Sequence, residues 1–245
     1  MKEAASKTKR ITGIEAIVFD WDGCLIDSFE VSYKAYQRAF LSVGLRLDRE
    51  FFKKHYGPDW YSFYERAGIP KRRWKMVDKL WLSFYEQLKP TLRSGVRRLL
   101  DVLSKDYTVA LVTGGSRMRV MKEIDNLCLT DFFRTIVCSD DTSKKKPTAE
   151  PLRLALRRMD IPASKAVYVG DTCEDVLMGK TVGCTTVAVE SQFTSARKIL
   201  KAKPDLIIRR PAELLKLLST ENSLPANSQW PGLMSRPNIR SAIQE

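Results

Sequence analysis

The sequence is poor in the residues that build zinc sites and disulfide frameworks. Its 245 residues include a single histidine, His55, and five cysteines. The cysteines lie at positions 24, 128, 138, 173 and 184, so their number is odd and no CxxC pair occurs. This pattern argues against a structural zinc site and against a secreted disulfide-bonded domain. We expect free thiols in a reducing compartment.

Long apolar runs are also missing. The longest, such as residues 107–112, are long enough for a strand but far too short to cross a bilayer. The first ten residues carry four basic side chains and no apolar stretch behind them, which is not the pattern of a secretory signal. The sequence therefore predicts a cytoplasmic protein that makes no membrane contact.

Acidic residues are too few to balance the basic ones, and the formal net charge is +13. Residues 1–10 contribute +3 and residues 219–245 contribute zero, so residues 11–218 carry +10. Such a charge attracts anionic substrates and would attract nucleic acid without specificity. The basic clusters are scattered, however, and no nucleic-acid recognition module has its signature here. The composition therefore favours a small anionic partner over nucleic acid.

Short apolar runs alternate with helical patterns over most of the chain. Strands are predicted at residues 15–20, 107–113, 134–139, 166–170, 185–189 and 205–208. Helices are predicted at residues 95–104, 116–127, 149–159, 174–182 and 194–201. Nearly continuous apolar strands that alternate with helices indicate an α/β protein with a Rossmann-like parallel sheet covered on both faces.

One interval, from residue 28 to about residue 90, breaks this alternation. It contains no good strand, and its apolar residues recur at helical spacing, as Val31, Ala35, Ala39 and Val43 do. We therefore predict a core of residues 11–27 and 92–218, with an inserted helical subdomain of residues 28–91. Residues 219–245 are rich in Ser, Asn and Pro, and we expect a flexible tail there.

The strongest candidate for chemistry is the segment from Asp20 to Ser28, which directly follows the first strand. Asp20 and Asp22 are two residues apart in near-extended chain, so their carboxylates project to the same side. Ligand sites of open parallel sheets lie at the carboxyl ends of the strands, and Gly23 permits a sharp exit from such a site. A solvated loop would explain one aspartate but not this pair followed by glycine.

A second pair of carboxylates, Asp171 and Asp175, follows Gly170 at the end of another strand. Magnesium is usually held by one or two carboxylates together with water and substrate phosphate. Taken alone, the pair is equally compatible with acidic capping at the start of a helix. With Asp20 and Asp22 nearby, it would supply an oxygen-rich metal site.

Two weaker signals also lie between a strand and a helix. Thr113 and Gly114 belong to a Thr-Gly-Gly-Ser turn that suits phosphate binding by backbone N–H groups. Lys146 ends a run of three lysines before Pro147. Any strand-to-helix turn can look like the first, and most lysine runs are solvated surface, so neither is specific alone.

Together and in this order, the four motifs closely resemble those of the haloacid dehalogenase superfamily, and its phosphoglycolate phosphatase-like members in particular. The resemblance covers roughly residues 14–218: a DxDGC-LxDS motif at Asp20, a strand-end Thr113, the Lys146-Pro147 pair, and GDxxxD from Gly170. The helical insert resembles the family's C1 cap. Family members often have Asn after the threonine, whereas Gly114 and Gly115 follow here.

The resemblance implies a role for each matching residue. It implies a nucleophilic Asp20 that forms an aspartyl-phosphate, and an Asp22 that acts as general acid and then general base. Mg²⁺ would be held by the Asp20 carboxylate, the Asp22 main-chain carbonyl and Asp171, with Asp175 as a ligand or a support. The phosphoryl oxygens would contact Thr113, the N–H of Gly114, and Lys146.

The function expected from this resemblance is hydrolysis of a small phosphate monoester, with 2-phosphoglycolate as one candidate. A sugar phosphomutase would use the same chemistry and stays open, as does, more remotely, a basic binding module on a decayed scaffold. The second acid, Asp22, argues against haloalkanoate dehalogenation. Lys53, Lys54, His55, Arg93 and the turn at residues 56–58 are the candidate substrate contacts. The sequence leaves monomer and homodimer open, and also whether oxidation of Cys24 or Cys173 affects activity.

Overall fold

The computed structural model describes residues 10–57 and 59–218, so the flexible tail expected at residues 219–245 lies outside the described residues. Its strands are β1 (Ala16–Phe19), β2 (Ile26–Asp27), β3 (Thr91–Leu92), β4 (Thr108–Val112), β5 (Thr135–Val137), β6 (Ala166–Gly170), β7 (Thr185–Val189) and β8 (Leu206–Ile208). Its helices are α1 (Phe29–Leu41), α2 (Arg49–His55), α3 (Trp60–Arg66), α4 (Trp74–Leu88), α5 (Val96–Asp106), α6 (Arg117–Asn126), α7 (Glu150–Met159), α8 (Cys173–Val182) and α9 (Ala196–Ala202). Short 3-10 turns connect several of them.

Six strands form one parallel sheet in the order β5-β4-β1-β6-β7-β8. Every side chain of β1 is buried, because this strand lies in the middle of the sheet and both faces are covered. Leucines and valines of α5 and α6 pack on one face, while α7 and α8 pack on the other. The predicted α/β fold with a parallel sheet is confirmed, and its continuous apolar strands reflect this burial on both sides.

The insert consists of helices α1 to α4, which leave the core after β2 and return to it at β3. These two short strands pair antiparallel, Ile26 with Leu92 and Asp27 with Thr91. Sequence patterning did not reveal them, because two residues are too few for an alternating pattern. Helix α1 packs along α4, and a cluster of aromatic side chains fills the space between the helices.

None of the described helices could cross a membrane. Across residues 10–57 and 59–218, each helix is too short or too polar to span a bilayer.

Candidate active site

The predicted site residues meet at the carboxyl end of the sheet because their strands are neighbours. Asp20 follows β1, which pairs with β4 on one side and with β6 on the other. The N–H of Asp20 donates to the carbonyl of Val169 at 2.8 Å, and the N–H of Thr113 donates to Val137 at 2.9 Å. Asp171 follows β6 directly. The sheet therefore holds Asp20, Thr113 and Asp171, which follow three neighbouring strands, in fixed positions relative to one another.

Lys146 links two carboxylates at the floor of the site. Its Nζ lies 2.6 Å from Oδ1 of Asp20 and 2.8 Å from Oδ1 of Asp175, and all three side chains are buried. Burial alone would lower the pKa of Lys146, but the two carboxylates outweigh it and raise that pKa above its usual value. The lysine therefore stays charged and offsets part of the negative charge of the two carboxylates.

The three buried carboxylates differ in their affinity for protons. Burial raises the pKa of Asp20 to about 7, although the Lys146 ammonium opposes this shift. Burial, reinforced by the charges of Asp20 and Asp175, raises the pKa of Asp171 well above its usual value. Burial also opposes ionisation of Asp175, yet the Lys146 ammonium and further hydrogen bonds hold its pKa below the usual value. A divalent cation would relieve the repulsion between these groups.

A magnesium ion fits this donor set. Carboxylate oxygens of Asp20, Asp171 and Asp175 lie within 4.8 Å of one another. Oδ2 of Asp171 accepts a hydrogen bond from Ser191 at 2.5 Å, whereas its Oδ1 is buried and has no partner. Burial of a carboxylate oxygen that has no hydrogen-bond partner costs free energy. A hard cation such as Mg²⁺ would bind this oxygen, because hard cations prefer oxygen ligands.

Asp175 is already fully occupied by hydrogen bonds. Its Oδ1 accepts from Lys146 and from the Tyr168 hydroxyl at 3.0 Å. Its Oδ2 accepts from the N–H of Thr172 at 3.1 Å and from the Thr172 hydroxyl at 2.6 Å. This arrangement favours Asp20 and Asp171 as direct metal ligands and Asp175 as the group that positions Lys146.

Gly23 allows the first motif to pass close to Asp171. Its φ is +75°, in the left-handed region that favours glycine. A Cβ at this position would lie 2.3 Å from Oδ2 of Asp171 and 2.7 Å from the ring of Phe193. The residue after the two aspartates must therefore lack a side chain for both backbone and steric reasons.

Asp22 is held by Arg119, a residue that the sequence analysis missed. Nη2 of Arg119 lies 2.5 Å from Oδ2 of Asp22, and its Nη1 lies 3.2 Å from Oδ1, so the guanidinium grips both oxygens. The same guanidinium bonds Glu123 on the next turn of α6 at 3.0 Å. Burial alone would lower the pKa of Arg119, but Asp22 and its neighbours raise it, so the side chain is charged.

Gly115 makes room for that arginine. A Cβ at position 115 would lie 2.3 Å from Nη2 of Arg119 and 2.7 Å from Val120. The second glycine of the Thr-Gly-Gly-Ser turn is thus a sequence signal for a bulky group packed against the turn. Thr113, whose hydroxyl accepts the N–H of Gly115 at 3.0 Å, lies beside it.

Above the carboxylates lies a cavity of about 310 Å³ between the sheet edge and the insert. Six of the predicted residues line it: Asp20, Asp22, Thr113, Gly114, Lys146 and Asp175. The insert contributes Tyr36, Tyr56, Gly57, Trp60, Asp78, Trp81 and Leu82. The predicted cap turn thus reaches the cavity through Tyr56 and Gly57, while Pro58 lies outside the described residues.

The structure does not bring the basic candidates of the sequence analysis into this cavity. Lys53, Lys54 and His55 lie at the end of α2 and do not line it. Arg93 lines a separate cavity and donates to the carbonyls of Gly23, at 2.6 Å, and of Glu190, at 2.8 Å. Arg93 therefore supports the backbone of the first motif.

The loop after β7 contacts both Asp171 and the insert. Ser191 donates to Asp171, and the next residue, Gln192, accepts from Arg49 of α2 at 3.2 Å. The ring of Phe193 lies 5.1 Å from that of Phe29 and 5.6 Å from that of Tyr56. The sequence left residues 190–193 as a connection between a strand and a helix, but it gave no sign of these contacts, because they are made to residues far away in the chain.

The thiols of the two cysteines inside the motifs, Cys24 and Cys173, ionise less readily than a free cysteine. Burial raises the pKa of Cys24 well above its usual value, and its Sγ donates to the carbonyl of Val169 at 3.5 Å. Burial, followed by the neighbouring Glu174, raises the pKa of Cys173 to about 11. Both environments disfavour the reactive form of the thiol.

Known proteins resemble this chain in both sequence and fold. Residues 17–189 match a family described as haloacid dehalogenase-like hydrolase. Pyrophosphatase PpaX of Bacillus velezensis is 31% identical over 215 residues, which cover 85% of this chain and 97% of that protein. A haloacid dehalogenase-like family protein from Streptococcus pneumoniae has a TM-score of 0.75 at 26% identity, covering 84% of this chain and 99% of its own. A predicted phosphoglycolate phosphatase from Haemophilus somnus shares the fold, with a TM-score of 0.77 at 20% identity and coverage of 84% and 98%.

Proposed function

Since this chain belongs to the haloacid dehalogenase-like hydrolase family, we propose that it is a magnesium-dependent phosphatase that hydrolyses a small phosphate monoester in the cytoplasm. The observation that carries the proposal is the pairing of buried Asp20 with the Lys146 ammonium, beside a buried oxygen of Asp171 that has no partner. A nucleophile, a fixed cation and a place for a second cation are the parts that transfer of a dianionic phosphoryl group requires.

The proposed reaction has two steps, and both use the Asp20 carboxylate. In the first, a carboxylate oxygen of Asp20 attacks phosphorus and the bond between phosphorus and the ester oxygen breaks. Asp22, protonated on Oδ1, the oxygen that lies farther from Arg119 at 3.2 Å, gives its proton to the departing alcohol. In the second, Asp22 takes a proton from water, whose oxygen attacks the aspartyl-phosphate and releases inorganic phosphate. Asp22 thereby returns to its protonated form, and Asp20 is again a free carboxylate.

Charge is the main obstacle to the first step. A phosphate anion and a carboxylate about 4 Å apart repel each other by roughly 4 kcal/mol per pair of unit charges at an effective dielectric constant near 20. Lys146 offsets part of this repulsion, and Asp20 and Asp171 would hold Mg²⁺, which supplies further positive charge when bound. Thr113 and the N–H of Gly114 line the cavity where they would orient the phosphoryl oxygens.

The direct test is release of inorganic phosphate from a panel of esters with magnesium, before and after EDTA. The names of the relatives suggest pyrophosphate and 2-phosphoglycolate as members of the panel, with sugar phosphates and nucleotides added. We expect release that EDTA abolishes and that added magnesium restores. Release unaffected by EDTA would contradict the metal site, and isomerisation of a sugar phosphate without net release would identify a mutase instead.

Magnesium should stabilise the protein more at pH 8 than at pH 5.5. Because burial raises the pKa of Asp20 to about 7, this carboxylate is largely protonated at the lower pH in the metal-free protein, and the raised pKa of Asp171 acts in the same direction. Protons and metal compete for these oxygens, so the apparent affinity rises with pH. The rise in unfolding temperature on adding magnesium, measured at both pH values, checks this. An equal rise at the two pH values would contradict it.

A further inference from the structure

We propose that the alcohol part of the substrate contains a planar aromatic or heteroaromatic ring and carries no negative charge. This inference rests on the proposed phosphatase function and adds the class of ester to it. It sets this chain apart from enzymes whose leaving group is a phosphate or an alcohol that carries a carboxylate, such as those that act on pyrophosphate or 2-phosphoglycolate.

The shape and lining of the cavity are the first ground for the proposal. Five aromatic rings face it: Tyr36, Tyr56, Trp60 and Trp81 from the insert, and Phe193 from the core. Its volume of about 310 Å³ lies at the small end of the range of roughly 300–1,000 Å³ that is usual for ligand pockets. Proteins bind flat rings by stacking them on aromatic side chains, and this contact does not require a hydrogen bond to each ring atom.

The charge of the insert wall is the second ground. Among the described residues of the insert that line the cavity, Asp78 is the only charged one. The hydroxyls of Tyr61 and Tyr64 donate to its carboxylate at 3.0 Å and 2.9 Å and fix it in place. A leaving group with its own carboxylate or phosphate would therefore face a like charge on this wall.

The cations of the core do not change this picture. Lys146 pairs with Asp20 and Asp175, and Arg119 pairs with Asp22 and Glu123, so both are committed to carboxylates at the floor. Lys198 of α9 also lines the cavity, but its side chain is exposed to solvent, which screens its charge, and the acidic Glu174 lines the cavity as well. The ammonium of Lys145 lies 3.8 Å from the centre of the Trp60 ring and does not line the cavity.

The wild-type enzyme tests the proposal on phosphates whose leaving groups differ in charge and in whether they contain a ring. The panel is benzyl phosphate, a nucleoside 5′-monophosphate, glycerol 3-phosphate, 2-phosphoglycolate and pyrophosphate, each with magnesium. We expect kcat/KM for the two ring esters to exceed that for each of the other three about tenfold or more, as one base-stacking contact gives. A highest kcat/KM for 2-phosphoglycolate or pyrophosphate would overturn the inference and leave the phosphatase function intact. Hydrolysis of none of them would overturn both.

A matched pair of variants locates the ring contact. Trp60→Leu removes a tryptophan that lines the cavity, whereas Trp74→Leu removes one that stacks on Tyr61 within the insert and does not line it. We expect Trp60→Leu to raise KM for benzyl phosphate about tenfold and to leave KM for glycerol 3-phosphate unchanged. Trp74→Leu should leave the ratio of the two KM values as in the wild type. An equal rise for both esters in Trp60→Leu would overturn the ring contact.

Asp78→Asn tests the charge separately from the ring. The amide oxygen can still accept a tyrosine hydroxyl, but the negative charge is gone. We expect kcat/KM for 2-phosphoglycolate relative to glycerol 3-phosphate to rise several-fold, because the repulsion from the insert wall is removed. An unchanged ratio in a variant with wild-type unfolding temperature would overturn the part of the inference that concerns charge.

Discussion

Replacement of Asp20 by asparagine is expected to reduce phosphate release by about 10³-fold or more, as loss of a nucleophile does in other covalent mechanisms. The amide has the shape of the carboxylate but cannot form an aspartyl-phosphate. Asp20 lies at the end of β1, in the middle of the sheet, and its Oδ1 contacts the Lys146 ammonium at 2.6 Å. Initial rates with the best ester of the panel, at saturating magnesium, measure the effect.

Asp27→Asn is the matched control for this prediction. Asp27 belongs to the same motif, but its side chain is exposed on β2 and does not line the cavity above the carboxylates. We expect this variant to keep kcat within about a factor of two, as surface substitutions away from the chemistry usually do. Activity of Asp20→Asn within tenfold of the wild type, in a preparation free of deamidated protein, would exclude Asp20 as the nucleophile.

Arg119→Lys is expected to lower kcat for alkyl phosphates by about 10²-fold, the order of loss that a small misplacement of a catalytic group causes. The lysine keeps the positive charge but cannot grip both oxygens of Asp22 as the guanidinium does. Asp22 then loses the orientation from which it protonates the leaving oxygen. With p-nitrophenyl phosphate, whose leaving group departs without a proton, we expect a much smaller loss.

Two further variants separate orientation from general damage. Gly115→Ala places a Cβ where the Arg119 guanidinium lies, so it should reproduce the selective loss on alkyl esters. Arg117→Lys changes the same residue type on the same helix, where Arg117 pairs with Asp141 and does not line the cavity, and it should spare both substrates. An equal loss of Arg119→Lys on alkyl and p-nitrophenyl esters would show that Arg119 acts on the fold rather than on Asp22.

The core of the site could be predicted because its chemistry lies where strands end. Asp20, Thr113 and Asp171 each follow an apolar run, and parallel strands necessarily bring their carboxyl ends to one edge of the sheet. The strands of the six-stranded sheet and the helices α5 to α9 lie within one or two residues of the predicted bounds. Burial on both faces makes each of these strands continuously apolar, so that the strands and the helices between them stand out in the sequence.

Contacts that depend on packing between distant segments could not be predicted. Arg119 lies in a helix with two other basic residues, Arg117 and Lys122, where patterning alone suggests solvated surface. In the sequence, only Gly115, four residues earlier, indicated that a large side chain packs against the turn. Conversely, the run from Lys53 to His55 was a candidate for contact with an anion, yet it does not line the cavity, because α2 buries Phe52 in the aromatic cluster of the insert and leaves these residues outside it.

The hydrogen bond from the N–H of Asp20 to Val169 makes the floor of the site part of the central sheet. Local opening, which frees loops and chain ends at little cost, does not reach a strand that is paired on both sides and buried on both faces. The geometry of the nucleophile is therefore lost only when the whole core unfolds. A destabilising substitution elsewhere in the sheet would thus reduce the number of active molecules while each remaining folded molecule kept its full turnover rate.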